Sequence, residues 1–279
     1  MGEHLYGQVT LEETSYPTDN STIIQAFNGK LRVPENRWKT ATDSITLNFI
    51  LLKAIGPSTG SPVVYLEGGP GASCTWQVED PGQLSTWLPI LQQRDLILLD
   101  QRGTGAHAQR MIWINEQPLP DDILVNAVVV NQHYQDMAVK ALPDYEKRGL
   151  DPRAYTTQES AHDIEDLRQA LGLEQITLMG FSYGSHLALR YLKQYEPMVE
   201  QAMFVGAEGM DDTYKLPLSM DTFFHQLSLR CGQDEAVRAY IPDLEVLYDE
   251  VIAQLSETPA VVEVQNPLTG ASMPVSRRP

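Results

Sequence analysis

Cysteine is scarce: Cys74 and Cys231 are the only two in 279 residues. They form no metal-type spacing, so a cysteine-based metal site is excluded. Two free, structural thiols are expected, with a single disulfide as the alternative. Basic residues are short as well: 20 Lys and Arg stand against 37 Asp and Glu, a formal charge of −17. Such a surface repels polyanions, which removes nucleic acid and anionic lipid as partners. No apolar stretch approaches the length of a bilayer crossing, and the opening MGEHLYGQ has no apolar signal region. A soluble chain with no membrane partner is expected. The compartment stays open between the cytoplasm and export with a removed signal peptide. Repeats, low-complexity tracts and coiled-coil heptads are missing too.

The first two hundred residues carry short buried runs ended by glycine-rich loops. TIIQAFNGKLRV (22–33) reads as strand with an Asn28-Gly29 turn signal inside it. SITLNFILLKA (44–54), SPVVYLEGGPG (61–71) and RDLILLDQRGTG (94–105) read as strands entering a core, of the kind that suits a parallel sheet covered on both faces. Residues 131–148 are weakly helical. Thr156 and Glu159 offer a capping box for a helix that Gly172 stops. A strand, a helix to about Tyr195 and a further strand, VEQAMFVGAEG, follow. The alternation predicts an α/β fold, a mainly parallel sheet flanked by helices, over residues 1–211. Residues 212–279 change character to amphipathic helices, closed by a hairpin around Leu268-Thr269-Gly270, and are expected to be a separate domain.

Three motifs carry chemistry. Gly180-Phe181-Ser182-Tyr183-Gly184 matches G-x-S-x-G, the strained strand-to-helix turn that lifts a nucleophilic serine above a sheet. Strand text before it and helix text after it supply the required context. Glu67-Gly68-Gly69-Pro70-Gly71 lets a backbone N–H approach a ligand closely, as half of an oxyanion hole would. Its Gly69–Pro70 bond is a candidate for the cis form. Asp100-Gln101-Arg102-Gly103-Thr104-Gly105 ends another strand, and its acid and base are expected to pair and brace the loop. Neither a phosphate loop nor a dinucleotide fingerprint is present, so no cofactor and no metal is expected.

In this order and at these separations, the motifs resemble the prolyl aminopeptidase (proline iminopeptidase) branch of the α/β-hydrolase superfamily. Gly29-Lys30-Leu31-Arg32-Val33-Pro34-Glu35-Asn36-Arg37 resembles a segment of its longer, tripeptidyl aminopeptidase-like members, and the likeness spans about 29–211. The resemblance implies that Ser182 is the nucleophile and that the Gly69 and Tyr183 amides form the oxyanion hole. Glu67 departs from the family, which usually has histidine there as a support for the loop. The resemblance also implies that 212–279 begin a helical cap.

Family triads run in the order Ser, acid, His. Only His186 and His225 follow Ser182: one lies on the helix that carries the serine, the other in helical text. Neither is placed as a base, so the expectation is an N-terminal portion of a longer hydrolase whose last core strands, acid and base lie elsewhere. The leading function is an aminopeptidase releasing N-terminal residues, proline-type, from short peptides. A carboxylesterase of the same fold and a non-catalytic binding protein are the alternatives. Expected partners are a short peptide or ester substrate, and either the missing C-terminal segment or a second copy paired along an exposed sheet edge near Met203.

Overall fold

The β-branched and aliphatic runs become seven strands of one sheet: β1 Gln8–Pro17, β2 Ile23–Pro34, β3 Ser44–Leu52, β4 Val63–Leu66, β5 Leu96–Leu99, β6 Ile176–Phe181 and β7 Val199–Val205. The computed structural model describes residues 7–107, 111–114, 127–211, 217–258, 260–265, 270 and 272–276. Strand order is β1-β2-β3-β5-β4-β6-β7. The β5-β4-β6-β7 half is parallel. Strands β1, β2, β3 and β5 instead pair antiparallel, so the sheet is mixed.

Two features of the N-terminal half differ from the sequence reading. Asn28-Gly29 is no turn, because β2 runs straight through it and pairs Gly29 with Phe49 on β3. The glycine is there for space: a Cβ on Gly29 would lie 2.1 Å from the Phe49 ring. Strand β1, mostly exposed, pairs along β2 over its whole length from Gln8↔Arg32 to Pro17↔Ile23.

Period-two alternation sorts the short strands onto two cores. Val64, Leu66, Ile97 and Leu99 face one side, where Ile164, Leu187 and Tyr191 cover them. Val63, Tyr65, Leu96 and Leu98 face the other, against Leu84, Trp87 and Leu91. Leu84 and Leu91 come from two short helices, α1 Pro81–Ser85 and α2 Leu88–Leu91, and Trp87 caps the second. Each fully buried side chain of this size contributes about 1.5–3 kcal/mol, so both layers matter to the sheet's stability. Helix α3 covers Ala127–Lys147, with Pro143 inside it.

Helix α4, Thr157–Ala170, starts where the capping signal predicts: Thr156 accepts from the Glu159 amide at 3.3 Å. The box is half used, because the Glu159 carboxylate goes to Arg37. Helix α5, Tyr183–Tyr195, follows β6 directly. Strand β7 ends the sheet with Met203, Phe204 and Val205 exposed.

By its contacts the chain divides into two compact units, Met1–Trp113 with Asp144–Thr213, and Ile114–Pro143 with Tyr214–Pro279. The second contains α6 Pro217–Gln233, α7 Glu235–Arg238 and α8 Leu244–Glu257. It also holds an antiparallel pair, β8 Val261–Gln265 with β9 Ser272–Ser276. Residues 268 and 269, where the hairpin turn was expected, lie outside the described residues. No described helix is long and apolar enough to cross a membrane.

Candidate active site

Ser182 sits between β6 and α5 with φ 52° and ψ −122°, a backbone state that side-chain-bearing residues rarely adopt. Holding it costs about 1–3 kcal/mol, which the surrounding packing must offset. The flanking glycines are there for space. A Cβ on Gly184 would lie 1.9 Å from the Leu66 carbonyl oxygen, and one on Gly180 would lie 2.4 Å from that of Gly184.

A network of four hydrogen bonds ties the serine turn to the end of β7 and the loop that follows it. Ser182 N donates to the Val205 carbonyl at 2.8 Å. Ser185 Oγ donates to the Ser182 carbonyl at 2.6 Å and accepts from the Glu208 amide at 2.8 Å. Ser182 Oγ donates to Glu208 Oε1 at 3.2 Å. Glu208 was not singled out from the sequence. The available signal was an acid between glycines, in Gly206-Ala207-Glu208-Gly209, directly after a buried-type strand.

The loop after β4 passes against the serine: a Cβ on Gly68 would lie 3.1 Å from Ser182 Cβ. Gly69 has φ 115°, and the Gly69–Pro70 peptide is cis. Tyr183 is the first residue of α5, so its amide is one that a helix leaves without an internal acceptor. The Tyr183 ring stacks on His186, its hydroxyl meets Thr157 Oγ1 at 2.8 Å, and burial raises its phenol pKa.

Glu67 is a support. It accepts from Tyr65 Oη, the Gly68 amide and Gln77 Nε2, at 3.2, 3.0 and 2.8 Å. Burial, with Glu67 alongside, pushes the Tyr65 phenol above its ordinary value.

The expected Asp100–Arg102 pair is not made. Asp100 accepts from Ser73 Oγ, the Cys74 and Thr75 amides and Thr75 Oγ1, at 2.7–3.1 Å. Gly105, at φ 59°, has no room for a side chain beside that carboxylate: a Cβ would be 2.0 Å from Oδ2. Arg102 turns the other way, forming a two-pronged pair with Asp163 and donating to the Glu35 and Ala154 carbonyls. Two neighbours on one loop thus brace it to different elements.

His186 Nδ1 donates to the Gly209 carbonyl at 3.0 Å, and His225 meets Glu245 at 3.1 Å within the second unit. Among the described residues, Ser182 Oγ has Glu208 as its side-chain partner and no histidine. Cys74 and Cys231 are free thiols, and burial, then Asp100, pushes Cys74 well above the ordinary thiol range. Cys74 is fully buried, the setting of a structural thiol.

A pocket of about 220 Å³ lies between the loops after β4 and β5, lined by Pro70, Gly71, Arg102, Thr104, Tyr155 and Tyr183 among others. A larger cavity, about 840 Å³, lies against β1–β3, and no residue of the serine turn lines it.

The family described by the α/β hydrolase fold matches residues 61–235, more than half of the sequence. The chain belongs to the α/β-hydrolase fold family. It is 30% identical over 203 residues to YuaR of Escherichia coli (strain K12), whose name calls it a hydrolase; the match covers 69% of this chain and 38% of that one. It is 28% identical over 194 residues to serine protease Hip1 of Mycobacterium tuberculosis (strain ATCC 25618 / H37Rv), covering 65% and 36%. It is 28% identical over 162 residues to proline iminopeptidase of Lactobacillus delbrueckii subsp. lactis, covering 56% and 39%. The chain therefore spans about two fifths of the length of the curated relatives it matches. Membership of this hydrolase family explains why a serine with positive φ stands between a central parallel strand and a helix.

Proposed function

We propose that this chain supplies the nucleophile side of a serine hydrolase of the aminopeptidase type. Ser182 Oγ attacks the carbonyl carbon of a substrate's N-terminal residue, most readily proline. The Gly69 and Tyr183 amides take the negative charge that develops on the carbonyl oxygen. The hydroxyl proton passes through a base to the leaving amine as the C–N bond breaks, and water then frees the acyl group from Ser182. The observation that carries this reading is the Ser182 backbone, φ 52° between two glycines that tolerate no side chain. The names of the peptidase relatives favour peptides over esters.

Because no described histidine bonds Ser182, this chain by itself turns over slowly. Loss of a triad histidine costs on the order of 10⁶ in kcat. The base comes from a polypeptide segment that adds strands beside the exposed edge of β7, and residues 212–279 act as part of a cap. The test treats the chain with a fluorophosphonate and locates the adduct by mass spectrometry. It also follows hydrolysis of L-proline p-nitroanilide and p-nitrophenyl acetate, with Ser182→Ala as control. An adduct at Ser182 with negligible turnover supports the reading. Rapid Ser182-dependent turnover by the chain alone refutes the missing base, and ester cleavage without anilide cleavage favours the esterase.

A further inference from the structure

Gln77 lies in the short 3-10 turn Thr75–Val78 beyond the glycine-rich loop, with 1% of its surface exposed. A primary amide buried that deeply costs free energy unless both of its ends meet partners. Trp87 Nε1–H, which can only donate, points at Gln77 Oε1 at 2.7 Å. Gln83 Nε2 adds a longer bond to the same oxygen at 3.4 Å. The amide therefore has one orientation open to it, with Nε2 turned to the Glu67 carboxylate at 2.8 Å. The indole that fixes Gln77 is itself fixed by the core: Trp87 is 6% exposed and meets the Tyr65 ring edge-on, centroids 4.7 Å apart.

From Glu67 the constraint passes to the loop. One carboxylate oxygen receives Gln77, and the other receives the Tyr65 hydroxyl and the Gly68 amide. Gln101 Nε2 donates to the Glu67 carbonyl at 2.9 Å. The Glu67–Gly68 peptide is thus held at both of its polar ends. Gly68 in turn lies against the nucleophile, where a Cβ on it would be 3.1 Å from Ser182 Cβ, and Gly69 follows at φ 115°. A clamped peptide plane narrows the directions open to the next amide, and an oxyanion donor works by being aimed beforehand.

Resting on the reading of Ser182 as nucleophile and Gly69 as oxyanion donor, we propose that Gln77 is a positioning residue for the oxyanion loop, acting through Glu67. By holding the carboxylate it sets the Gly68 peptide, and through that peptide the aim of the Gly69 N–H. The chain of donors and acceptors has a direction. Glu67→Gln alone sets two amide NH2 groups against each other, because Trp87 keeps Gln77 from turning over. Adding Gln77→Glu restores each bond with donor and acceptor exchanged: the new amide donates to the new carboxylate, which still accepts from Trp87 and Gln83.

The 279-residue chain is treated with a fluorophosphonate, and the labelling rate at Ser182 is measured with the melting temperature alongside. Gln77→Leu and Glu67→Gln are each expected to label about 10- to 100-fold more slowly, the range of an ångström-scale misplacement, and the exchanged pair to recover most of that loss. A merely structural role lowers the melting temperature and leaves the labelling rate of folded protein unchanged. That outcome, or an exchanged pair no faster than Glu67→Gln alone, overturns the proposal. Where Gln77→Leu does not fold, the comparison of Glu67→Gln with the pair decides. Chains labelled with ¹⁵N-glycine give a readout that needs no nucleophile: the Gly68 and Gly69 amide resonances are expected to move in Glu67→Gln and Gln77→Leu and to return in the pair. If they do so in a chain that takes no label at Ser182, the positioning role stands and the nucleophile reading falls. Resonances that stay in place overturn the positioning role whatever the labelling shows.

Discussion

Arg102 and Asp163 meet in a two-pronged ion pair, Nε to Oδ2 at 2.8 Å and Nη2 to Oδ1 at 2.7 Å, with side chains 1% and 2% exposed. Arg37 adds a second guanidinium to the same carboxylate and reaches Glu159 and Asp166 as well. Removing one partner of such a pair strands the other in a low-dielectric site. Asp163→Ala is expected to cost about 3–5 kcal/mol, read from urea unfolding midpoints. A loss under about 1 kcal/mol, the size of an exposed pair, contradicts this.

Strain at Ser182 is measurable without any activity. Ser182→Gly and Ser182→Ala both lose the hydroxyl bonded to Glu208, but glycine alone accepts φ 52° without penalty. The glycine variant is expected to be about 1 kcal/mol more stable than the alanine variant. Equal melting temperatures count against stored strain.

Gly69→Ala places a Cβ 2.7 Å from the Gly71 nitrogen on a backbone at φ 115°. The loop must shift. Phosphonylation of Ser182 is expected to slow about 10²-fold, the usual effect of an ångström of misplacement or a lost oxyanion donor. An unchanged labelling rate takes Gly69 out of the mechanism.

Burial, then Arg37, depresses the pKa of His162, which sits between Gln158 on α4 and the Tyr195 hydroxyl on α5. A depressed folded-state value means that the unfolded chain binds the proton first. Stability is therefore full above the ordinary histidine value of about 6.5 and falls as pH drops through the folded value. Melting temperature is expected to decline between pH 7.5 and 5.5, and His162→Gln to flatten that slope. Asp166, raised by burial, acts in the opposite sense nearer the carboxylate range. An identical slope in His162→Gln assigns the effect elsewhere.

Met203 and Val205 are 40% and 45% exposed on β7, the last strand of the sheet's order. An unpaired edge of this kind is a template for another strand. Sedimentation is expected to show concentration-dependent association that Val205→Lys reduces. A monomer at every concentration argues against the edge as a partner surface.

What the sequence disclosed depended on how local the cause was. The serine turn was legible because its glycines, its buried strand and its helix are contiguous, from Ile176 to Tyr195. Asn28-Gly29 misled because the reason for that glycine, the Phe49 ring, lies on another strand. Strand β1 gave no signal, since most of its residues are exposed and it is recruited by β2 alone. Asp100 and Arg102 looked like partners by proximity in the chain, yet Arg102 finds Asp163 61 residues away. Glu208 acquires its meaning only when β7 brings the following loop beside α5.

The carboxylate of Asp100 gathers four donors from the three residues Ser73, Cys74 and Thr75. Gln101 Nε2 donates to the Glu67 carbonyl at 2.9 Å from the same side. These two loops are therefore one unit of inheritance. A chimera that takes residues 67–75 from a relative, and keeps 100–105 from this chain, inherits an acid whose donors have been replaced and a glycine whose clearance was set for it. Recombination at these two loops succeeds only when both segments come from one parent.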